Sequence, residues 1–397
     1  MDDLKKRALD YHQFPVPGKL SVDSSKPCAT QDDLSLAYTP GVAAPVREIH
    51  ADPANAYKYT NKGNLVAVIT DGTAVLGLGD MGALASKPVM EGKAVLFKRF
   101  AGIDVFDIEI NAKTPDEFIQ TVVNISPTFG GINLEDIAAP HCFYIENELK
   151  KRLDIPVFHD DQHGTAVIVA AALLNALELQ GKTLAAVKIV FLGAGAAGCS
   201  CAKLLKLMGA TNITMADRSG VLDTDRADLH ENNRELAVAP SNQKALADVM
   251  PGADVFIGVS AKNALDASLL KDMANNPIVF ALANPDPELL PSLAHAVRGD
   301  LIMATGRSDF PNQVNNALCF PYLFRGALDA KAKQITEKMK IAAAKALSAL
   351  AREPVPAEVL QAYQLTALSF GKDYIIPKPF DPRLMARVST AVAEAAK

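Results

Sequence analysis

Val187-Lys-Ile-Val-Phe-Leu-Gly-Ala-Gly-Ala-Ala-Gly198 decides how this chain folds. Its apolar run predicts a buried strand, and its close-set glycines predict a tight turn. Cys199 to Met208 then reads as a helix, and Asn212-Ile-Thr-Met-Ala-Asp217 as the next strand. Asp217 closes that strand 19 residues after Gly198. Strand, glycine turn, helix and terminal acid in this order make a dinucleotide-binding unit. The loop Gly193, Ala194, Gly195, Ala196, Ala197, Gly198 lets backbone approach a pyrophosphate, and the helix N-terminus offers it free N–H groups. Asp217 can accept hydrogen bonds from the adenosine ribose, which leans toward NAD. Arg218 and Ser219 follow at once and could receive a 2′-phosphate, so NAD and NADP both stay open.

Upstream lies Ile155-Pro-Val-Phe-His-Asp-Asp-Gln-His-Gly-Thr165, which opens a long apolar helix, Ala166 to Leu179. Two carboxylates between two histidines end a short apolar run, the usual raw material of an α/β site. The bland alternative is that Asp160, Asp161 or Thr165 merely caps the helix. His159 and His163 are metal-ligand types, but the HDDQH spacing matches no familiar zinc motif.

Further upstream, Asn64-Leu-Val-Ala-Val-Ile-Thr-Asp71 is a buried strand. The segment after it carries another GxGxxG, at Gly77, Gly79 and Gly82. Its acid partner, Asp107, comes 25 residues after Gly82, and Pro88 interrupts the following helix. This copy reads as a substrate-side or nicotinamide-side loop. Asp104 to Ile110 is a strand, and Thr128 to Ile137 a Gly-containing strand that runs into Glu135-Asp136. Downstream, residues 253–259 and 277–285 are strands, 313–328 and 331–352 helices, and a Pro-rich tail precedes a last helix. The alternation implies α/β architecture, a parallel sheet with helices on both faces.

The chain has 397 residues, room for two or three domains. A net charge of −5 argues against a nucleic-acid partner. Five scattered cysteines with no zinc-like pair point to reduced thiols and a cytoplasmic location. The N-terminal MDDLKKRALDYHQF lacks the apolar region of a signal peptide. The longest apolar stretch, Ala166 to Leu177, is too short to span a bilayer, so no membrane is expected.

Glu135-Asp136 and Asp160-Asp161 each stand just past a strand. Four carboxylates brought together would repel unless a cation sat among them. Oxygen-only ligation points to Mg²⁺ or Mn²⁺; the alternative is surface turns and caps. Lys93 lies in the apolar segment Val89 to Phe97, where a partly buried lysine beside a divalent cation would have a lowered pKa suited to a general base. A solvated helix lysine is the alternative. Tyr38 precedes the turn-forming Pro40-Gly41, a position where most tyrosines only pack.

Together the motifs resemble the malic enzyme family in its short bacterial form. The resemblance rests on AYTPGVA around Tyr38, ITDGTAVLGLGDMG, EGKAVLFK around Lys93, GGINLEDI, PVFHDDQHGTA, FLGAGAAG, ALANPDPE and FPNQVNNALCFP, from about residue 15 to 382. It implies metal-dependent oxidative decarboxylation of malate to pyruvate and carbon dioxide, with reduction of NAD or NADP. Glu135, Asp136 and Asp161 would hold the metal. Lys93 would take the hydroxyl proton with Asp160 as its charge partner, and Tyr38 would protonate C3. Asn284, Asn315 and Asn316 would touch substrate, and Gly77, Gly79 and Asn284 would lie along the cofactor. At position 74, where larger animal-type members carry a substrate-contacting arginine, this chain has Ala74. The acyltransferase-like C-terminal domain of some bacterial members is not expected.

The resulting expectation is a malate- and metal-binding domain over 1–158. A Rossmann-like, doubly wound domain over 159–397 follows it, with C-terminal helices packing back on the first. A homodimer is the default. Three rivals are malolactic conversion to lactate, a metal-independent amino-acid dehydrogenase, and a catalytically silent NAD sensor.

Overall fold

The computed structural model describes residues 2–397. Two separate parallel sheets organise the chain. The first joins β1 (Leu65–Thr70), β2 (Asp104–Glu109), β3 (Gly131–Leu134) and β4 (Val157–His159) in the order β2-β1-β3-β4. The second joins β5 (Lys188–Leu192), β6 (Asn212–Asp217), β7 (Gly220–Val221), β8 (Val255–Gly258), β9 (Ile278–Ala281) and β10 (Ile302–Thr305) in the order β10-β9-β8-β5-β6-β7. Only the short β7 runs antiparallel, through Asp217 and Gly220. In both sheets the chain reverses direction beside the first strand, the switch point where α/β sites form. The central strands are buried on both faces, so β1 and β8 read as continuous apolar runs.

Helix Thr165–Leu179 carries the chain from the first sheet into the second. With the preceding turn, Asp160–Leu179 spans 20 residues and is apolar enough to cross a bilayer by length and composition. Here it is a core helix, buried from Ala166 through Leu173 and packed against helices Ala196–Leu207 and Glu337–Ala351. Its one fully buried amide is satisfied. Asn175 Nδ2 donates to Ser348 O at 2.9 Å and Ile375 O at 2.8 Å, while Oδ1 receives Ser348 Oγ and Arg352 Nε, each at 2.8 Å. Asn175 thereby ties this helix to the C-terminal segment.

The C-terminal helices return to the first sheet. Phe97 on helix Ala83–Ala101 meets Phe320 and Phe324 of helix Phe320–Asp329 edge-on, with centroids 4.8 and 5.3 Å apart. Each such buried ring contributes roughly 1.5–3 kcal/mol. Arg325 Nη1 adds a bond to Asn64 Oδ1 at 2.7 Å.

Several expectations need correction. Helix Ala83–Ala101 runs straight through Pro88. Residues 313–328 are not one helix: Asn315 caps a short turn at Asn316–Leu318, and the helix begins at Phe320, with Pro321 in the first turn where its missing N–H costs nothing. The next helix starts at Glu337, capped by Thr336. Strand β10 was not expected, since a four-residue buried strand carries no periodicity.

Candidate active site

The turn Asp160–Gly164 is a single π-helical turn between β4 and the core helix. Such bulges often mark functional positions. No side chain caps the helix that follows, so Asp160, Asp161 and Thr165 are free of the capping role. A Cβ at Gly164 would meet Asp160 Oδ1 at 1.9 Å, so only glycine leaves room for that carboxylate. From behind, Glu146 grips the turn. Its Oε1 accepts His159 N at 3.1 Å, and its Oε2 lies 2.9 Å from His163 Nε2. Burial pushes the His163 imidazole down to about 4, so it is neutral. Nε2–H then donates to Glu146, and Nδ1 accepts from Lys340 Nζ at 3.1 Å. Both ring nitrogens are committed to protein partners, which removes His163 as a zinc ligand.

In front of the turn, ligand atoms of Glu135, Asp136 and Asp161 all lie within 4.8 Å of one another. Glu135 and Asp136 follow β3 and are buried; Asp161 is partly exposed. Asp136 sits at φ 54°, in the left-handed region that an aspartate tolerates better than most residues. Among the described residues its Oδ1 receives only a long 3.3 Å bond from Leu76 N, and its buried Oδ2 has no partner. Burial, then the Asp161 charge, pushes the Asp136 carboxyl up to about 7. Burial likewise pushes Glu135 upward, against the pull of Lys93. An unpartnered buried carboxylate oxygen among mutually repelling acids fits an oxygen-loving divalent cation.

Lys93 projects from helix Ala83–Ala101 toward the same point. Its Nζ lies 2.8 Å from Glu135 Oε1 and 2.5 Å from Asp160 Oδ2, and 4.7 Å from the Phe320 ring centroid. Asn316 Nδ2 donates to Asp160 Oδ2 at 3.1 Å, and Asn316 Oδ1 accepts from Thr165 Oγ1 at 3.2 Å. The ammonium's pKa is not lowered. Burial does press it down, but Asp160, Glu135 and Asp161 outweigh burial and hold it above the usual lysine range.

A cleft of about 890 Å³ joins these groups to the second sheet. Lys93, Glu135, Asp136, Asp161, Asn284, Asn315 and Asn316 line it, together with Gly77, Gly195, Ala196 and Ala197. Helix Ala196–Leu207 points its uncapped N-terminus there. Close approach explains two of the glycines: a Cβ at Gly198 would meet Gly193 O at 2.0 Å, and one at Gly77 would meet Asn284 O at 2.2 Å. Gly79 is not among the lining residues; its carbonyl accepts Val75 N in a tight turn at φ 85°. Asp107, proposed as acid partner of this loop, is paired instead with Lys87. Ala74 lines the cleft, its N–H donating to Asp136 O at 2.9 Å.

The malic enzyme N-terminal domain model matches residues 17–150, and the malic enzyme NAD-binding domain model matches residues 162–363. The chain belongs to the malic enzyme family. It is 59% identical to the NADP-dependent malic enzyme of Halomonas elongata, over the whole of this chain and 94% of that relative. It is 57% identical to the NADP-dependent malic enzyme of Escherichia coli, again over the whole chain, but spans only 52% of that longer protein. The crystal structure of malic enzyme from Pyrococcus horikoshii superposes with a TM-score of 0.89 at 44% identity, covering 99% of this chain and 90% of that one.

Within this malic enzyme fold, Asp160, Gly193, Ala194, Gly198 and Asp217 stand behind or beside the cleft lining, and Tyr38 lies outside it. Tyr38 is 69% exposed and does not line the cleft of its own chain. Sequence reasoning also missed Tyr11 and Lys19, which do line it. Lys19 donates from Nζ to Pro88 O at 2.6 Å, and from its backbone to Glu91 Oε2 at 2.9 Å. Burial lowers its pKa against the pull of Glu91. Position 19 follows a turn glycine, Gly18 at φ 85°, and nothing in a Pro-Gly-Lys sequence marks its lysine as facing a site built from distant parts of the chain.

Proposed function

We propose that this protein oxidises malate at C2, passes hydride to NAD(P), and decarboxylates the product to pyruvate. The observation that carries the reading is the meeting of three carboxylates and Lys93 in the cleft that also receives the glycine loop. A divalent cation, Mg²⁺ or Mn²⁺, held by Glu135, Asp136 and Asp161 would polarise the C2 oxygen and offset the acidic field that keeps the proton on Lys93.

Lys93 Nζ takes the hydroxyl proton as C2 is oxidised. Asp160, itself fixed by Asn316, keeps that amine aimed at the substrate oxygen. Asn284, Asn315 and Asn316 orient the substrate from the second sheet's side of the cleft. Lys19 is the second cation along the cleft and would neutralise the carboxylate that an arginine meets in larger forms. The glycine loop, Gly193 to Gly198, would cradle the pyrophosphate. The first 158 residues would form the malate and metal domain and the remainder the NAD(P) domain.

A proton must then reach C3 of the enolate left by carbon dioxide. We assign it to Tyr38 supplied by a second copy of the chain. Leu34, Leu36, Tyr38 and Val46 are 47%, 68%, 69% and 59% exposed, an apolar face that a homodimer would cover. Tyr11, which lines the cleft of its own chain, is the rival donor. A cytoplasmic location is supported by five unpaired cysteines.

The direct test is malate with NAD or NADP, with and without Mn²⁺, following reduced cofactor and pyruvate together. Equimolar, metal-dependent formation of both is expected. Lactate without reduced cofactor would instead favour the malolactic route, and full activity in chelator an amino-acid dehydrogenase.

A further inference from the structure

Asp217 ends β6, where a dinucleotide-binding unit places the acid that receives the adenosine ribose. In this chain that carboxylate is already engaged. Arg226 Nη1 donates to Asp217 Oδ1 and Nη2 to Oδ2, each at 2.9 Å, and Ser219 N donates to Oδ1 at 2.8 Å. The same guanidinium reaches Asp228 through Nε at 2.9 Å and Nη2 at 2.7 Å, and Gly220 O through Nη1 at 3.2 Å. The Arg226 side chain is largely buried, Asp217 is partly exposed, and Asp228 is open to solvent.

A free acid at this position accepts the ribose hydroxyls and repels a 2′-phosphate. An acid clamped by a fork does neither well. Both of its oxygens are occupied and its charge is offset. A phosphate arriving here meets a paired acid and the neighbouring Arg218 in place of a bare carboxylate. All five N–H groups of Arg226 are engaged by Asp217, Asp228 and Gly220, so the arginine acts by holding Asp217 and leaves the phosphate to the exposed Arg218.

We propose that Arg226 sets the cofactor preference toward the 2′-phosphorylated dinucleotide by cancelling Asp217. This inference rests on the reading of the cleft as an NAD(P) site. It is tested without turnover, by calorimetric titration of the full chain with ADP-ribose and with 2′-phospho-ADP-ribose. The wild type is expected to bind the phosphorylated fragment at least about tenfold more tightly. Arg226→Gln should lose at least that factor for the phosphorylated fragment alone, with ADP-ribose unchanged or tighter. Arg226→Lys, which keeps charge without the fork, should fall between. Asp217→Asn, which frees the Arg226 charge, should bind the phosphorylated fragment more tightly and leave ADP-ribose within a few-fold.

Equal loss of both fragments in Arg226→Gln would mean that the arginine merely holds the Asp217–Gly220 turn, and would overturn the proposal. A wild type that prefers ADP-ribose would overturn it too. A wild type that binds neither fragment would instead refute the NAD(P) reading of the cleft.

Discussion

Asn316 donates to Asp160 Oδ2 at 3.1 Å across 156 residues of chain, and the same oxygen receives Lys93 at 2.5 Å. The amide thus sets the direction of the carboxylate that sets the direction of the amine. Asn316→Ala should lower kcat for malate by about 10- to 100-fold, with dinucleotide affinity retained. Steady-state kinetics beside a cofactor titration would check this. An unchanged kcat would detach Asn316 from the reacting end of the cleft.

Lys93→Ala removes the proposed base but none of the glycine loop. Malate oxidation should fall by about 10²- to 10⁴-fold, while NAD(P) binding stays within a few-fold by fluorescence titration. Loss of cofactor binding to the same extent would place the lysine's role in the fold.

The three clustered carboxylates should make stability respond oppositely to metal and to mutation. In chelator, Asp136→Asn relieves a buried, unpartnered charge and should raise Tm. In Mn²⁺ the order should reverse, because a cation at about 100 times its Kd adds ~2.7 kcal/mol to the wild type that the variant cannot gain. Thermal melts of both proteins in both conditions decide it, and a wild type indifferent to Mn²⁺ would remove the metal site.

If Tyr38 serves a neighbouring copy, two dead variants should rescue each other. Tyr38→Phe and Lys93→Ala, dissociated and reassembled together at equal amounts, should recover about a quarter of wild-type activity, since half of the dimers then carry one intact site. Absence of rescue, with loss of activity in Tyr11→Phe, would assign the proton to Tyr11 of the same chain.

Lys19→Ala should raise the malate KM by about 10-fold or more and leave kcat within a few-fold, as expected when a charge contact is equal in ground and transition states. A pure kcat effect would exclude Lys19 as the carboxylate anchor.

Much of this molecule was legible because its signals are local. A strand ending in Gly193 to Gly198 and closing on Asp217 reads as one unit, since backbone geometry alone demands those glycines within a dozen residues. The acidic pairs at 135–136 and 160–161 were visible as types and as strand endings, and the family resemblance was carried by long contiguous motifs. Two local features differ between sequence and fold: Pro88 stays within a packed helix, and Asn315 turns the chain inside a stretch, 313–328, that reads as one helix.

What the order of residues determined by itself was the inventory: the parallel α/β architecture, the nucleotide loop, and which side chains could do chemistry. The tertiary structure decided their company. It brought Asp161 beside Glu135 and Asp136, let carboxylates outweigh burial at Lys93, occupied Asp217 with Arg226, and left Tyr38 outside its own chain's cleft while admitting Lys19. Charge and desolvation act over a few ångströms of space, whatever the separation along the chain, so the state of each group depends on neighbours that only folding supplies.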